Sequence, residues 1–129
     1  MKALILAAGY ATRLYPLTKD RPKALLPLGG KAIIEFIIDE IVTLPDVNEI
    51  IVVSNHRFVE HFNAWEKKTA SQYELPITIV DDFTTSDADK LGAVGDINFV
   101  IERLEIDEDL LVIAGDNLFT YALIDPWRV

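Results

Sequence analysis

The sequence contains no cysteine, and it has no long uninterrupted run of apolar residues. Without thiols the chain forms neither disulfides nor zinc-thiolate sites, and it offers no thiol nucleophile. Its most apolar long segment, residues 32–44, carries acidic side chains and falls short of the roughly 20 residues that cross a bilayer. The apolar start is at the lower length limit of a signal peptide and is soon followed by charges. We therefore expect no membrane span and a cytoplasmic location.

Positive charge is also scarce, with 12 lysines and arginines against 21 acidic residues and a formal net charge of −9. An acidic surface repels phosphate backbones and anionic lipids, which argues against nucleic-acid and membrane binding. A small phosphate ligand stays compatible, because nearby hydrogen-bond donors outweigh a distant field. Apolar residues make up 50% of the 129 residues, enough for one compact core and too few for two. We predict a single domain over residues 1–129.

Apolar runs and helical periodicities alternate along the chain. The patterns predict strands at residues 2–7, 49–54, 77–80 and 110–114, and helices at residues 31–44, 57–70 and 92–104. This alternation is typical of a Rossmann-like α/β fold, with a mostly parallel sheet between two helical layers. Ligands of such sheets bind beyond the carboxyl ends of the strands. The basic segment 8–30, the acidic loop 81–91 and Asp116 all follow strands, so we expect them to meet at one edge.

The segment that leaves the first strand is built from small residues and ends in a cation. It runs Leu6, Ala7, Ala8, Gly9, Tyr10, Ala11, Thr12 and Arg13. Small residues let a ligand approach the backbone, and consecutive amides leaving a strand bind anions. Arg13 adds a planar fork suited to phosphate oxygens. Neither a Walker loop nor the three-glycine dinucleotide motif is present. These residues alone leave two interpretations open, a phosphate-binding turn and an ordinary turn with an exposed arginine.

Two further features carry candidate chemistry. Lys23 follows Pro22 and precedes Pro27, so its backbone lies between two rigid points. A solvated lysine is the alternative interpretation. Asp116 follows an apolar strand and a glycine, and its carboxylate suits magnesium because hard cations prefer oxygen ligands. Gly-Asp pairs also form plain turns.

Together, residues 6–14 and 22–27 resemble the signature of the sugar-nucleotide pyrophosphorylase family of nucleotidyltransferases. That signature reads L-A-A-G-x-G-T-R-L-x-P-x-T and, after a short gap, P-K-x-L-L-P. Pro16 and Thr18 match as well, and both parts have the family's spacing. One position departs, since Ala11 stands where the family has its second glycine. Alanine costs about 1 kcal/mol there if the position needs a positive φ, and it keeps the amide.

The resemblance implies a fold of the nucleotide-diphospho-sugar transferase type and a Mg²⁺-dependent reaction. An NTP and a sugar 1-phosphate would give an NDP-sugar and pyrophosphate. The implied catalytic residues are Arg13 and Lys23, and the implied metal ligand is Asp116. The implied nucleotide-binding residues are Leu6, Ala7, Ala8, Gly9, Tyr10, Ala11, Thr12, Asp82 and Gly92. In relatives an amide side chain often stands near the position of Asp82, and a carboxylate can only accept hydrogen bonds, so the base stays open.

Members of the family are longer than this chain, and their sugar-binding segments and second metal aspartate lie farther downstream. We therefore expect a truncated domain that binds nucleotide and transfers weakly or not at all on its own. A cut sheet exposes apolar surface, which favours a homo-oligomer. Three alternatives remain: a cytidylyltransferase for phosphocholine or another alcohol phosphate, a non-catalytic nucleotide-binding module, and a generic dinucleotide-binding domain.

Overall fold

A computed structural model describes residues 1–9, 20–86 and 88–115 of the chain. The strands are β1 (Lys2–Leu6), β2 (Pro27–Leu28), β3 (Lys31–Ala32), β4 (Glu49–Ser54), β5 (Ile77–Asp81) and β6 (Leu110–Ala114). The helices are α1 (Ile33–Ile41), α2 (Val59–Thr69) and α3 (Gly92–Leu104), and single 3-10 turns cover Lys23–Leu25 and Ala70–Gln72. The four strands and three helices predicted from the apolar patterns are all present, with boundaries within a few residues.

Four strands form one parallel sheet in the order β5-β4-β1-β6. In the register of the central strand, Leu6 lies opposite Val53 of β4 and Ala114 of β6. The carboxyl ends of all four strands therefore reach the same edge of the sheet. The predicted parallel α/β architecture is confirmed, and this edge is where such a sheet binds ligands.

The two faces of the sheet bury different helices, because successive side chains of a strand point to opposite sides. On β1, Ala3 and Ile5 belong to the core shared with α1 and α2, whereas Leu4 packs in the core that contains Val100 of α3. Phe62 of α2 is fully buried on the first face. Burial of one such side chain contributes about 2–3 kcal/mol. The result is a three-layer α/β/α arrangement.

The first helix differs from its predicted bounds at both ends. Gly29 and Gly30 adopt φ values of 62° and 94°, so they form the tight turn between β2 and β3 that needs positive φ at both positions. Helix α1 therefore begins at Ile33 instead of at residue 31. In the last turn of the predicted helix, N–H groups bond to the carbonyl three residues earlier and not four, as Leu44 N–H does to Ile41. The α-helix therefore ends at Ile41.

Within the residues that the structure describes, no helix is both long enough and apolar enough to cross a membrane.

Candidate functional site

The turn that follows β1 is fastened to the neighbouring strand β4. The Ala7 N–H donates to the carbonyl of Val53 at 2.9 Å, and the Ala8 carbonyl accepts the side-chain amide of Asn55 at 2.9 Å. Asn55 is fully buried, and its carbonyl oxygen also accepts the N–H of Phe58 at 2.9 Å, where α2 begins. One side chain thus fixes both the turn and the start of the next helix.

The same turn touches β6 on its other side. The Gly115 N–H donates to the carbonyl of Leu6 at 2.8 Å. A β-carbon at Gly115 would lie 2.7 Å from that oxygen, so only glycine permits this approach. At Gly9 the situation is the reverse, because no atom of the described residues lies within 4 Å of a β-carbon placed there. Gly9 is exposed in the part of the chain that the structure describes.

Lys23 begins the 3-10 turn that precedes the β2–β3 hairpin. The turn is closed by hydrogen bonds from Leu25 N–H to the Pro22 carbonyl at 3.1 Å and from Leu26 N–H to the Lys23 carbonyl at 3.0 Å. Pro22 is buried, and Ala24 belongs to the same core cluster as Ala7. The backbone of Lys23 is therefore held by the core, while its side chain is half-buried.

The loop after β5, here called the 82–86 loop, is anchored to β4. The Asp82 N–H donates to the carbonyl of Ser54 at 2.9 Å, and the His56 N–H donates to the carbonyl of Thr84 at 2.8 Å. Asp82 is only 4% exposed, and its Oδ1 accepts both the N–H of Thr84 at 2.9 Å and its hydroxyl at 2.7 Å. The side chain of Asp82, which was predicted to bind the nucleotide, therefore makes its hydrogen bonds within its own loop.

An imidazole–carboxylate pair, not predicted from the sequence, flanks this loop. The Nδ1 atom of His56 lies 2.6 Å from Oδ2 of Asp81, which follows from the side-by-side ends of β4 and β5. The hydrogen bond to Asp81, and then its negative charge, raise the pKa of His56 above the ordinary value. The other Asp81 oxygen accepts the N–H of Phe83, whose φ of 67° is costly for a bulky residue. The pair therefore helps to hold a strained backbone.

Gly92 opens α3 and adopts a φ of 75°, which glycine alone accepts without strain. It is exposed, and the described residues place no atom within 4 Å of a β-carbon at this position. A ligand can therefore approach this helix start closely. One turn farther along, the Asp96 side chain lies within hydrogen-bonding reach of Asp82. Asp82 and Gly92, both predicted to bind the nucleotide, are thus connected through Asp96 of α3.

Several predicted site residues lie outside the described part of the chain. They are Tyr10, Ala11, Thr12, Arg13 and Asp116. Across residues 1–9, 20–86 and 88–115, no group of three or more histidines and acidic residues could hold a metal ion. Along the carboxyl edge of the sheet, the structure brings together in order the 82–86 loop, Asn55, the Leu6–Gly9 turn and Gly115.

A family model described as "Nucleotidyl transferase" matches residues 2–126 of this sequence. The chain belongs to the nucleotidyl transferase family. The resemblance inferred from the two sequence motifs is therefore confirmed at the level of the family, and the neighbouring strand ends described above form the edge at which such a fold binds its substrates.

Individual relatives agree with the family. A UTP–glucose-1-phosphate uridylyltransferase of Haloferax volcanii is 33% identical over 128 residues, covering 97% of this chain and 47% of its own length. A CTP:phosphoglutamine cytidylyltransferase of Campylobacter jejuni is 32% identical over 123 residues, covering 92% and 45%. The solved CTP:phosphocholine cytidylyltransferase of Streptococcus pneumoniae superposes with a TM-score of 0.68 at 30% identity, covering 95% and 47%. The chain thus spans less than half the length of each of these proteins.

Proposed function

We propose that this chain supplies the nucleotide-binding portion of an enzyme that couples an NTP to a sugar 1-phosphate, forming an NDP-sugar and pyrophosphate. The supporting observation is the turn after β1. Asn55 ties it to β4 through Ala8, Gly115 ties it to β6 through Leu6, and no atom of the described residues lies within 4 Å of a β-carbon at Gly9. A rigid, small-residue turn of this kind presents backbone amides to phosphate oxygens, and the nucleotide would lie along residues 6–12.

In this reaction an oxygen of the sugar 1-phosphate attacks the α-phosphorus of the NTP, and the bond to the β-phosphate breaks. Pyrophosphate leaves with the electron pair, and no covalent enzyme intermediate is needed. Catalysis then depends on positioning and on neutralising charge. Arg13 would hold the departing β- and γ-phosphates. Lys23, whose backbone is fixed by the core, would neutralise charge that develops around the α-phosphate.

Magnesium fits the proposal through Asp116, the residue after Gly115. Magnesium commonly binds proteins through one or two carboxylates and takes its other ligands from substrate phosphates and water. Asp116 supplies one such carboxylate, and it directly follows Gly115, whose N–H bonds to the carbonyl of Leu6. When bound, the ion neutralises negative charge on the phosphate oxygens. Because NTPs are cytoplasmic substrates, a cytoplasmic location belongs to the same proposal. The self-association expected from the sequence is also part of it.

The base and ribose would lie between the 82–86 loop and the start of α3. Gly92 offers a helix start that a flat ring can approach, since the described residues leave the space beside it open. The 82–86 loop borders the same region and is tied to α3 through Asp82 and Asp96. This placement puts the base beside the end of β5 and the phosphates beside the end of β1. Both lie at the same edge of the sheet, with β4 between them.

A cytidylyltransferase that acts on phosphocholine or another alcohol phosphate is the second candidate. Two of the relatives above carry cytidylyltransferase names, and their identity to this chain is close to that of the uridylyltransferase. The two candidates share the NTP chemistry and differ in the base and in the acceptor phosphate.

Pyrophosphate exchange tests both candidates in a full-length protein that contains this chain. UTP, dTTP, CTP, ATP and GTP would each be supplied with magnesium and with glucose 1-phosphate, mannose 1-phosphate or phosphocholine. We expect exchange that depends on one sugar 1-phosphate and one preferred NTP. Exchange with CTP and phosphocholine alone would favour the second candidate, and nucleotide binding without exchange under any condition would reject the enzymatic function.

A further inference from the structure

Two buried carboxyl groups meet where the 82–86 loop packs on α3. Asp82 is 4% exposed and Asp96 is 6% exposed, and the Asp96 side chain lies within hydrogen-bonding reach of Asp82. Asp82 Oδ2 and Asp96 Oδ1 are both buried, and neither accepts a hydrogen bond from any donor among the described residues. Two ionised carboxylates within hydrogen-bonding reach would repel each other, and neither could donate a hydrogen bond. The contact therefore requires a proton between them.

Asp96 suits this proton better than Asp82 does. Asp82 Oδ1 already accepts two hydrogen bonds from Thr84, and such bonds stabilise a carboxylate. Burial, followed by the hydrogen bond to Asp82 and its negative charge, raises the pKa of Asp96 to about 8. A protonated Asp96 can donate to Asp82, which supplies a hydrogen bond between two carboxyl groups that bury unpartnered oxygens.

This hydrogen bond joins two parts of the proposed nucleotide site. Asp82 holds the 82–86 loop through Thr84, and Asp96 lies one helical turn after Gly92, at the helix start proposed to face the base. Directly after the anchors at Asp81 and Asp82, Phe83 adopts its left-handed φ of 67°. A conformation of that kind persists only where surrounding contacts enforce it. The loop therefore depends on its anchors to keep its shape.

We propose that Asp96 is a positioning residue for nucleotide binding, whose carboxyl group donates a hydrogen bond to Asp82 and thereby fixes the 82–86 loop against the start of α3. The proposal rests on the proposed function, because it assigns this loop and Gly92 to the base. It also gives Asp82 a role that its burial allows. Asp82 would shape the loop from inside and would not touch the base.

Other charged groups lie on the elements that neighbour the pair, and their titration must be separated from that of the pair in any pH experiment. From β4 and β5 these are His56 and Asp81, which pair with each other. From the loop, Asp89 accepts the N–H groups of Thr85 and Ser86, and Lys90 follows it. From α3, the Arg103 guanidinium lies 5.7 Å from the centre of the Phe83 ring. His56 is the member of this set whose titration overlaps the neutral range, so His56→Gln serves as the matched background.

The test compares wild type, Asp96→Asn and Asp96→Ala by calorimetry, with UTP, dTTP, CTP, ATP and GTP as probes, each with magnesium. Near pH 7 the asparagine amide should replace the lost donor and bind the preferred nucleotide within about twofold of wild type. The alanine variant leaves a buried carboxylate without its donor, so its affinity should fall about tenfold. At about pH 9.5 the wild type should also weaken about tenfold, because Asp96 ionises, whereas the asparagine variant should not.

Repeating the pH series in the His56→Gln background should leave this difference between aspartate and asparagine unchanged. Protection of the Thr84 N–H against hydrogen exchange provides a second readout, and it should fall in the alanine variant and be kept by asparagine. Parallel pH profiles for wild type and Asp96→Asn, or equal affinities for wild type and Asp96→Ala, would overturn the inference while nucleotide binding stands. Absence of binding by the folded wild type to all five nucleotides would reject the proposed function and, with it, this role of Asp96.

Discussion

The Nδ2 atom of Asn55 donates a hydrogen bond to the carbonyl oxygen of Ala8 at 2.9 Å, across the boundary between β4 and β1. The oxygen of the same amide accepts the N–H of Phe58 at 2.9 Å. Asn55 is fully buried, so water cannot replace either bond. The shape of the proposed phosphate-binding turn therefore depends on a residue that follows a different strand and lies far from it in the sequence.

Replacing Asn55 with alanine should both destabilise the fold and weaken nucleotide binding. The substitution removes two hydrogen bonds and leaves a buried carbonyl and a buried N–H without partners, which costs about 2–4 kcal/mol of unfolding free energy. Urea denaturation measures the loss, and calorimetry measures the affinity. Asn63→Ala is the matched control, because Asn63 is half-buried in α2 and its side-chain amide makes a long hydrogen bond of 3.4 Å to Glu60. An Asn55→Ala chain as stable as this control would show that the bridge does not hold the turn.

Alanine substitutions at two glycines of the edge should have opposite effects. Gly115→Ala places a β-carbon 2.7 Å from the carbonyl oxygen of Leu6, so β6 must move and unfolding free energy should fall by about 1–3 kcal/mol. Gly9→Ala meets no atom of the described residues, and the stability should change by less than about 0.5 kcal/mol. The added methyl at Gly9 would instead occupy ligand space and weaken binding of an NTP. Equal effects of the two substitutions on stability would contradict the geometry of the turn.

Stability should also depend on pH through Asp96. Its pKa is raised in the folded chain from 3.8 to about 8, so between these values the folded state keeps a proton that the unfolded state has released. The unfolding free energy of wild type, relative to Asp96→Asn, should then decline as pH rises, by at most about 1.4 kcal/mol per pH unit, and level off above about pH 8. Urea denaturation of both chains between about pH 5 and pH 9 measures this difference. A difference that stays constant or grows with pH would show that Asp96 is ionised in the folded state.

Lys23→Ala should separate binding from catalysis in the full-length protein. If Lys23 neutralises charge that grows in the transition state, turnover should fall by about 3 kcal/mol of activation free energy, roughly a hundredfold, while the NTP still binds. Steady-state kinetics of pyrophosphate exchange measure the loss, and calorimetry measures binding. Lys68→Ala is the control, because Lys68 is exposed in the last turn of α2. Turnover unchanged by Lys23→Ala would remove Lys23 from the catalytic role.

Periodicity was enough to predict the parallel sheet, because the four strands are short, apolar and well separated. The pattern could not show that residues 31 and 32 pair with 27 and 28, since apolar spacing looks the same in a helix and in a short strand that leads into it. The two glycines at 29 and 30 were the available signal, as a glycine pair favours a tight hairpin turn. Local turn chemistry, not hydrophobicity, decided where α1 begins.

The motifs located the turn after β1 but not the residues that support it. A single asparagine after a strand, such as Asn55, carries no spacing signal, because its partners at Ala8 and Phe58 are set by the order of strands in the sheet. Asp96 did leave a signal. It lies four residues before Val100, on the buried face of α3, where an isolated carboxyl group needs a partner. The identity of that partner, Asp82, follows only from the packing of α3 on the sheet.

In the proposed function, the turn after β1 binds an NTP together with a magnesium ion held by Asp116. Calorimetric titration of each of the five NTPs, with magnesium and with excess chelator, into wild type and Asp116→Asn tests it most directly. We expect heat for at least one NTP with magnesium, and a fall in affinity of about tenfold or more on chelation or in the asparagine variant. No heat from any NTP with a chain that circular dichroism shows to be folded would contradict it, as would affinity that ignores both magnesium and Asp116.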